Sequence, residues 1–102
     1  RWLHCRVREK ANNGAVFSTG YRDDQISSLS LYTGEGRNKK EWKLNLTSIQ
    51  GRFLFHLPFP NMDAMKVEEI MEKAGLRETD LDEIADLLGL MVRYGVIESS
   101  RE

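Results

Sequence analysis

Apolar and polar residues alternate at the start of the chain: Leu3, Cys5 and Val7 are separated by His4, Arg6 and Arg8, the period-two signature of a strand with one covered face. Asn13-Gly14 follows, a pair that tolerates the positive φ of a tight hairpin turn, and residues 15–22 supply the strand that returns. Residues 26–33 read as a third strand, ended by the loop Gly34-Glu35-Gly36-Arg37-Asn38-Lys39-Lys40. Residues 42–49 and 52–59 read as a fourth and a fifth. A two-residue turn at Gln50-Gly51 sets Leu46 opposite Phe55, Leu44 opposite Leu57 and Trp42 opposite Phe59. The large apolar groups of that hairpin then share one side, while Asn45 with His56 and Lys43 with Pro58 share the other. Such a register predicts a sheet with one wet face and one that needs a cover. Pro58 and Pro60 lack a backbone donor and mark an edge strand.

The period changes after residue 60. Val67, Ile70, Met71 and Ala74 recur at helical spacing and predict a helix over 62–74, with Gly75 as its cap. Thr79-Asp80-Leu81-Asp82 resembles a capping box and opens a second helix over 79–94, in which Leu81, Ile84, Ala85, Leu88, Met91 and Val92 form one stripe that closes at Gly95. An alternative breaks this helix at Gly89 and makes a small hairpin of residues 90–92 and 96–98. The unbroken stripe favours the helix. The expected fold is therefore α+β: a mainly antiparallel sheet of about five strands in residues 1–60, covered on one face by two C-terminal helices. Phe55, Leu57, Leu44, Leu46, Ile70, Ile84 and Leu88 are its expected core.

With 102 residues, 40% of them hydrophobic and 30% charged, the chain suits one domain with one modest core. Its parts would be a β-rich basic lobe over 1–60, a helical acidic lobe over 61–95, and a tail or short strand over 96–102. Opening on Arg1, it reads as a piece of a longer protein. No apolar run approaches the roughly 20 residues of a membrane span, and no signal peptide leads the chain. The expectation is a soluble, intracellular protein of cytoplasm or nucleus. Cys5, the single cysteine, agrees with a reducing compartment because it can close no internal disulfide. Asn45-Leu46-Thr47 would matter as a glycosylation acceptor only in a secreted chain.

Candidate chemistry is sparse. Gly34-Glu35-Gly36 lacks the third glycine of a dinucleotide loop and the Gly-Lys-Ser/Thr ending of a phosphate loop. His4 and Cys5 are neighbours on a strand and point to opposite faces, leaving His56 as the remaining nitrogen or sulfur ligand, so no metal site is expected. Ser27, Ser28 and Ser30 have no nucleophile-elbow context, and the pairs Asp23-Asp24 and Glu68-Glu69 are ordinary for solvated surfaces. The expectation is a protein that is not an enzyme and carries no cofactor.

Charge is more informative. The net charge of −1 hides ten Lys/Arg against five Asp/Glu in residues 1–60, and four against nine in residues 61–95. Arg6, Arg8 and Lys10 cluster on the first strand and Arg37, Lys39 and Lys40 in the 34–40 loop. With Asn13-Gly14 as the turn, Arg6 faces Tyr21 and Lys10 faces Phe17, on one side with Trp2 and His4. Cations interleaved with aromatic rings would hold single-stranded RNA by phosphate attraction and base stacking. The plainer reading, and the favoured one, is a cross-strand cation–π face, ordinary for a solvated sheet.

The helical part points to proteins. Val67-Glu68-Glu69-Ile70, then residues 84–90, then Gly95-Val96-Ile97-Glu98 resemble a helix-turn-helix with a wing, yet Asp80, Asp82, Glu83 and Asp86 would repel phosphate with Arg93 alone to offset them. Met62 and Met65, with Met71 and Met91, supply adaptable apolar contacts, and Glu68, Glu72, Asp82 and Asp86 an acidic surface for a basic partner. The first functional expectation is a non-enzymatic interaction or assembly domain that self-associates or docks a protein through opposed basic and acidic surfaces. Binding of single-stranded RNA is the alternative.

The order of strand, glycine turn, strand and helices ending in Leu88-Gly89-Leu90-Met91-Val92 is similar to the C-terminal part of rhabdovirus matrix proteins, over about half the chain. That resemblance implies an assembly protein and assigns no functional residue.

Overall fold

The computed structural model describes residues 2–20 and 24–100. Two antiparallel three-stranded sheets and three α-helices make an α+β architecture among these residues. Strands β1 (Arg6–Glu9), β2 (Ala15–Thr19), β3 (Ile26–Thr33) and β4 (Lys40–Asn45) lead into α1 (Ser48–Phe55). Then follow β5 (Met65–Lys66), α2 (Val67–Lys73), α3 (Leu81–Arg93) and β6 (Ile97–Ser100). One sheet has the order β5-β1-β6 and the other β2-β3-β4. The core draws on both: Val7 of β1, Leu29 of β3, Phe53 of α1, Ile70 of α2 and Leu88 of α3 belong to one buried cluster.

The predicted hairpin of residues 42–49 and 52–59 does not form. Its second half is α1, started by a reciprocal cap in which Thr47 Oγ1 accepts from the Gln50 N–H at 3.2 Å and Gln50 Oε1 accepts from the Thr47 N–H at 3.1 Å. Gly51 is no turn residue. A Cβ there would lie 2.2 Å from the Ile26 carbonyl oxygen, so its absence lets α1 rest directly on β3. Helical spacing replaces the alternating row: Phe53, Leu54 and Leu57 point inward, whereas Phe55 is 40% exposed. Phe55 is thus a correction to the expected core. Leu57, Ile70, Ile84 and Leu88 are buried as expected, and Leu44 and Leu46 pack half-buried against the cluster.

The predicted pairing of the first two strands also fails, so the five-stranded sheet becomes two sheets. β1 is claimed from both sides: Arg6 and Val7 pair with Lys66 and Met65, and Arg6 to Glu9 pair with Ser100 to Ile97. Backbone bonds from Glu9 N to Pro58 O (2.9 Å) and from Lys10 N to Val96 O (2.8 Å) continue this attachment. With both edges filled by later segments, no ladder position remains for β2. The intervening loop turns with positive φ at Asn12 (57°) and Gly14 (72°) and carries the chain to the second sheet. Asn13 braces the crossing, donating from Nδ2 to Lys10 O at 2.8 Å and accepting at Oδ1 from Ala15 N–H at 2.7 Å. The basic and acidic lobes therefore interleave at β1.

The helical expectations fare better. The 62–74 helix is shorter, because residues 65–66 join the sheet and the Glu69 carboxylate accepts from the Lys66 N–H at 3.1 Å at the start of α2. The 79–94 helix is α3, with Ile84, Leu87, Leu88 and Met91 buried. Asp80 closes the preceding turn by accepting from Arg77 N–H at 2.9 Å. Gly95 (φ 70°) ends α3, and residues 97–100 are a strand paired with β1 rather than half of a local hairpin.

Candidate functional site

The 57–62 segment leaves α1 and sets the most exposed large apolar side chain among the described residues. Leu57 and Pro58 are buried, the Pro58 carbonyl is held by Glu9 N–H, and Met62 N–H donates to Phe59 O at 3.0 Å to close a turn. Phe59 stands between two prolines whose rings restrict the backbone on either side, and it is 61% exposed. Its ring borders a depression of about 300 Å³ lined by Ala15, Phe17, Ile26, Leu54, Phe55 and Leu57, with Glu9 as the acidic lining residue. The surface is largely apolar and built by four elements and the 57–62 turn.

The sequence-predicted protein-contact residues are dispersed around it. Met62 is exposed beside Phe59, whereas Met65 is half-buried in β5 and packs on the core. Glu68 and Glu72 border a second depression, about 170 Å³, with Leu3, Met71, Leu76 and Glu78. Asp82 and Asp86 lie one turn apart on the exposed side of α3. Three further acids serve structure: Glu69 and Asp80 hold backbone N–H groups, and Glu83 accepts from the Thr47 hydroxyl while its carbonyl accepts from Gln50 Nε2 at 3.2 Å.

The predicted nucleic-acid face is divided between the two sheets. Arg6 and Arg8 line a depression of about 250 Å³ with Ala64, Glu98, Ser99 and Ser100, and Arg8 is engaged by Glu98 (2.8 Å) and by Met62 O (3.0 Å). Lys10 follows β1, Phe17 belongs to the other sheet, and Tyr21 lies outside the described residues. Arg6 therefore faces Lys66 and Ser100, while Phe17 faces Leu29. The loop cluster holds together better. Arg37, Lys39 and Lys40 are exposed, and the Lys39 ammonium sits 4.9 Å from the centroid of the Tyr32 ring.

Sequence reasoning missed the contributions of Phe17, Ile26 and Leu54 to the main depression, because these residues meet only once β2 pairs with β3 and α1 packs on β3. The signal for α1 was present, since Thr47-Ser48-Ile49-Gln50 is a capping-box pattern. His4 is exposed, Cys5 buried and His56 half-buried. No helix among the described residues is long and apolar enough to cross a membrane. No family model matches the chain, and neither a curated protein nor a solved structure matches it.

Proposed function

We propose that this protein is a non-enzymatic interaction domain of an intracellular assembly, and that the Phe55–Phe59 depression receives a large apolar side chain of a protein partner. The observation that carries the reading is Phe59, held 61% exposed on a turn between two prolines beside an apolar hollow. An aromatic on a backbone restricted by two prolines loses little main-chain freedom on binding, and aromatic anchors dominate interface energetics. Glu9 gives the hollow a negative element, so the fitting segment pairs its apolar anchor with a Lys or Arg. The buried single thiol, Cys5, accords with an intracellular location.

The test is a selection from a peptide library displayed at random sequence, followed by titration of the enriched peptides. The expected result is enrichment of peptides with an aromatic or leucine next to a cation, whose affinity falls about tenfold or more in Phe59→Ala. Enriched peptides that bind Phe59→Ala and Phe55→Ala unchanged would place the contact elsewhere and sink the reading.

A second reading, binding of single-stranded RNA, is favoured by one observation: Arg37, Lys39 and Lys40 share an end of the β2-β3-β4 sheet with Tyr32 and the exposed Trp42. Its affinity should fall by about 0.7 log units per log unit of salt for each phosphate contact. Binding that is absent at low salt, or unaltered by combined Arg37→Glu, Lys39→Glu and Lys40→Glu, removes it.

A further inference from the structure

The outer edge of β4 has no strand beside it among the described residues, and five of its six residues are exposed. Exposed edges are usually guarded against pairing by charge, and this one carries Lys40, Glu41 and Lys43 around a Trp42 with 57% of its surface in solvent, so a partner strand must match those charges. The direction of its backbone groups follows from the ladder. Leu46 N–H donates to Ser27 O at 3.0 Å, in register with the pairs Leu44↔Leu29, Trp42↔Leu31 and Lys40↔Thr33. Antiparallel ladders alternate, so the N–H and C=O groups of Glu41 and Lys43 point to the open side.

The sequence of this edge is complementary to itself. In an antiparallel pairing of two β4 strands with Trp42 facing Trp42, Glu41 of each copy faces Lys43 of the other. Lys40 then lies against Leu44, along which its aliphatic stem can run. The outward groups of Glu41 and Lys43 exchange four backbone hydrogen bonds in that arrangement. The two Trp42 residues fall on a non-hydrogen-bonded pair, where side chains come closest. A shift of two residues in either direction sets Glu41 against Glu41 or Lys43 against Lys43, and a shift of one puts opposed side chains on different faces. Charge excludes the neighbouring registers, and larger shifts leave too little of the six-residue strand paired.

We propose that two copies of this chain associate through β4, antiparallel with Trp42 facing Trp42, joining their three-stranded sheets into one of six strands. The inference rests on reading the domain as an interaction module and adds a second, symmetric contact whose partner is the chain itself. It also differs from a meeting of basic and acidic lobes, which would be heterologous and could propagate, whereas edge pairing closes at two copies. A short strand contact buries less than a standard stable interface, so the dimer should depend on concentration.

Sedimentation equilibrium up to millimolar protein tests it. The wild type should dimerise, and Glu41→Lys and Lys43→Glu should each weaken dimerisation about tenfold or more by setting like charges opposite one another. Both side chains are exposed and Glu41 gives up only a 3.5 Å contact from the Tyr32 hydroxyl, so at concentrations where the wild type is monomeric both variants should melt close to it. Mixing the two variants in equal amounts should restore association, because each lysine of one then meets a glutamate of the other. Lys43→Pro removes an outward N–H without touching the β3–β4 ladder and should abolish the dimer. A wild type that stays monomeric at every concentration, or a mixture no stronger than its components, overturns the proposal. Either outcome leaves the Phe59 surface intact, to be judged by its own variants.

Discussion

Gly51 lies against Ile26 so closely that a Cβ on the glycine would meet the isoleucine carbonyl oxygen at 2.2 Å and the Gln25 side chain at 2.8 Å. This contact seats α1 on β3 and thereby decides which phenylalanines are buried and which are offered to solvent.

Gly51→Ala should therefore destabilise the protein. Helix propensity favours Ala over Gly by about 1 kcal/mol, but forcing a methyl group onto a backbone carbonyl displaces the helix at a cost of about 1–3 kcal/mol or more. Urea denaturation should show a net loss, and a gain in stability would mean that α1 can lift off β3 without penalty.

The two neighbouring phenylalanines of α1 should behave oppositely. Phe53 is fully buried, and Phe53→Ala should cost about 3–5 kcal/mol. Phe55 keeps 40% of its surface in solvent, and Phe55→Ala should cost about 1 kcal/mol. Denaturation midpoints of the pair measure the difference directly, and equal losses would restore the alternating strand.

Arg52 and Arg8 provide a contrast between a structural and a surface cation. The Arg52 guanidinium donates to Ala74 O at 2.9 Å and to Gly75 O at 3.0 Å, satisfying carbonyls at the end of α2. Arg52→Ala should cost about 1.5–3 kcal/mol. The Arg8–Glu98 pair is solvated at both ends, and Glu98→Gln should change stability by less than about 1 kcal/mol. Thermal melts at low and high salt separate them, since only the second effect should fade with salt.

Asn13→Ala should loosen the joint between the sheets. Loss of its bonds to Lys10 O and from Ala15 N–H should cost about 1–2 kcal/mol. Hydrogen exchange provides the local reading: the Ala15 amide should lose protection while that of Leu29 follows only the global change. Unchanged exchange at Ala15 would show that the loop holds without the side chain.

Much of the helical half was legible because local rules and tertiary packing agree there. The i, i+3, i+4 stripe through Ile84, Leu88 and Met91 coincides with the buried side of α3, and Gly75 and Gly95 take the positive φ that their places after α2 and α3 require. The alternation of Cys5 and Val7 likewise marked β1 as a strand with one buried face.

Partners were another matter. Asn13-Gly14 and Gln50-Gly51 carry the local chemistry of hairpin turns, and the period-two spacing from Phe53 to Phe59 predicts a strand. The cap at Thr47 and Gln50 and the close approach of Gly51 to Ile26 outweighed that spacing and wound the segment into a helix.

The sequence by itself determined the α+β class, helical segments within 67–73 and 81–93, the strand character of residues 6–9, 15–19, 26–33 and 42–45, and the separation of charge along the chain. Tertiary structure alone decided that β1 is the middle strand between β5 and β6, that Arg6 and Arg8 part company with Arg37, Lys39 and Lys40, and that Phe59 faces solvent beside a hollow. The physical reason is that a strand's faces follow from its own period, whereas its neighbours depend on which distant segments can satisfy its backbone groups and cover its apolar side at the same time.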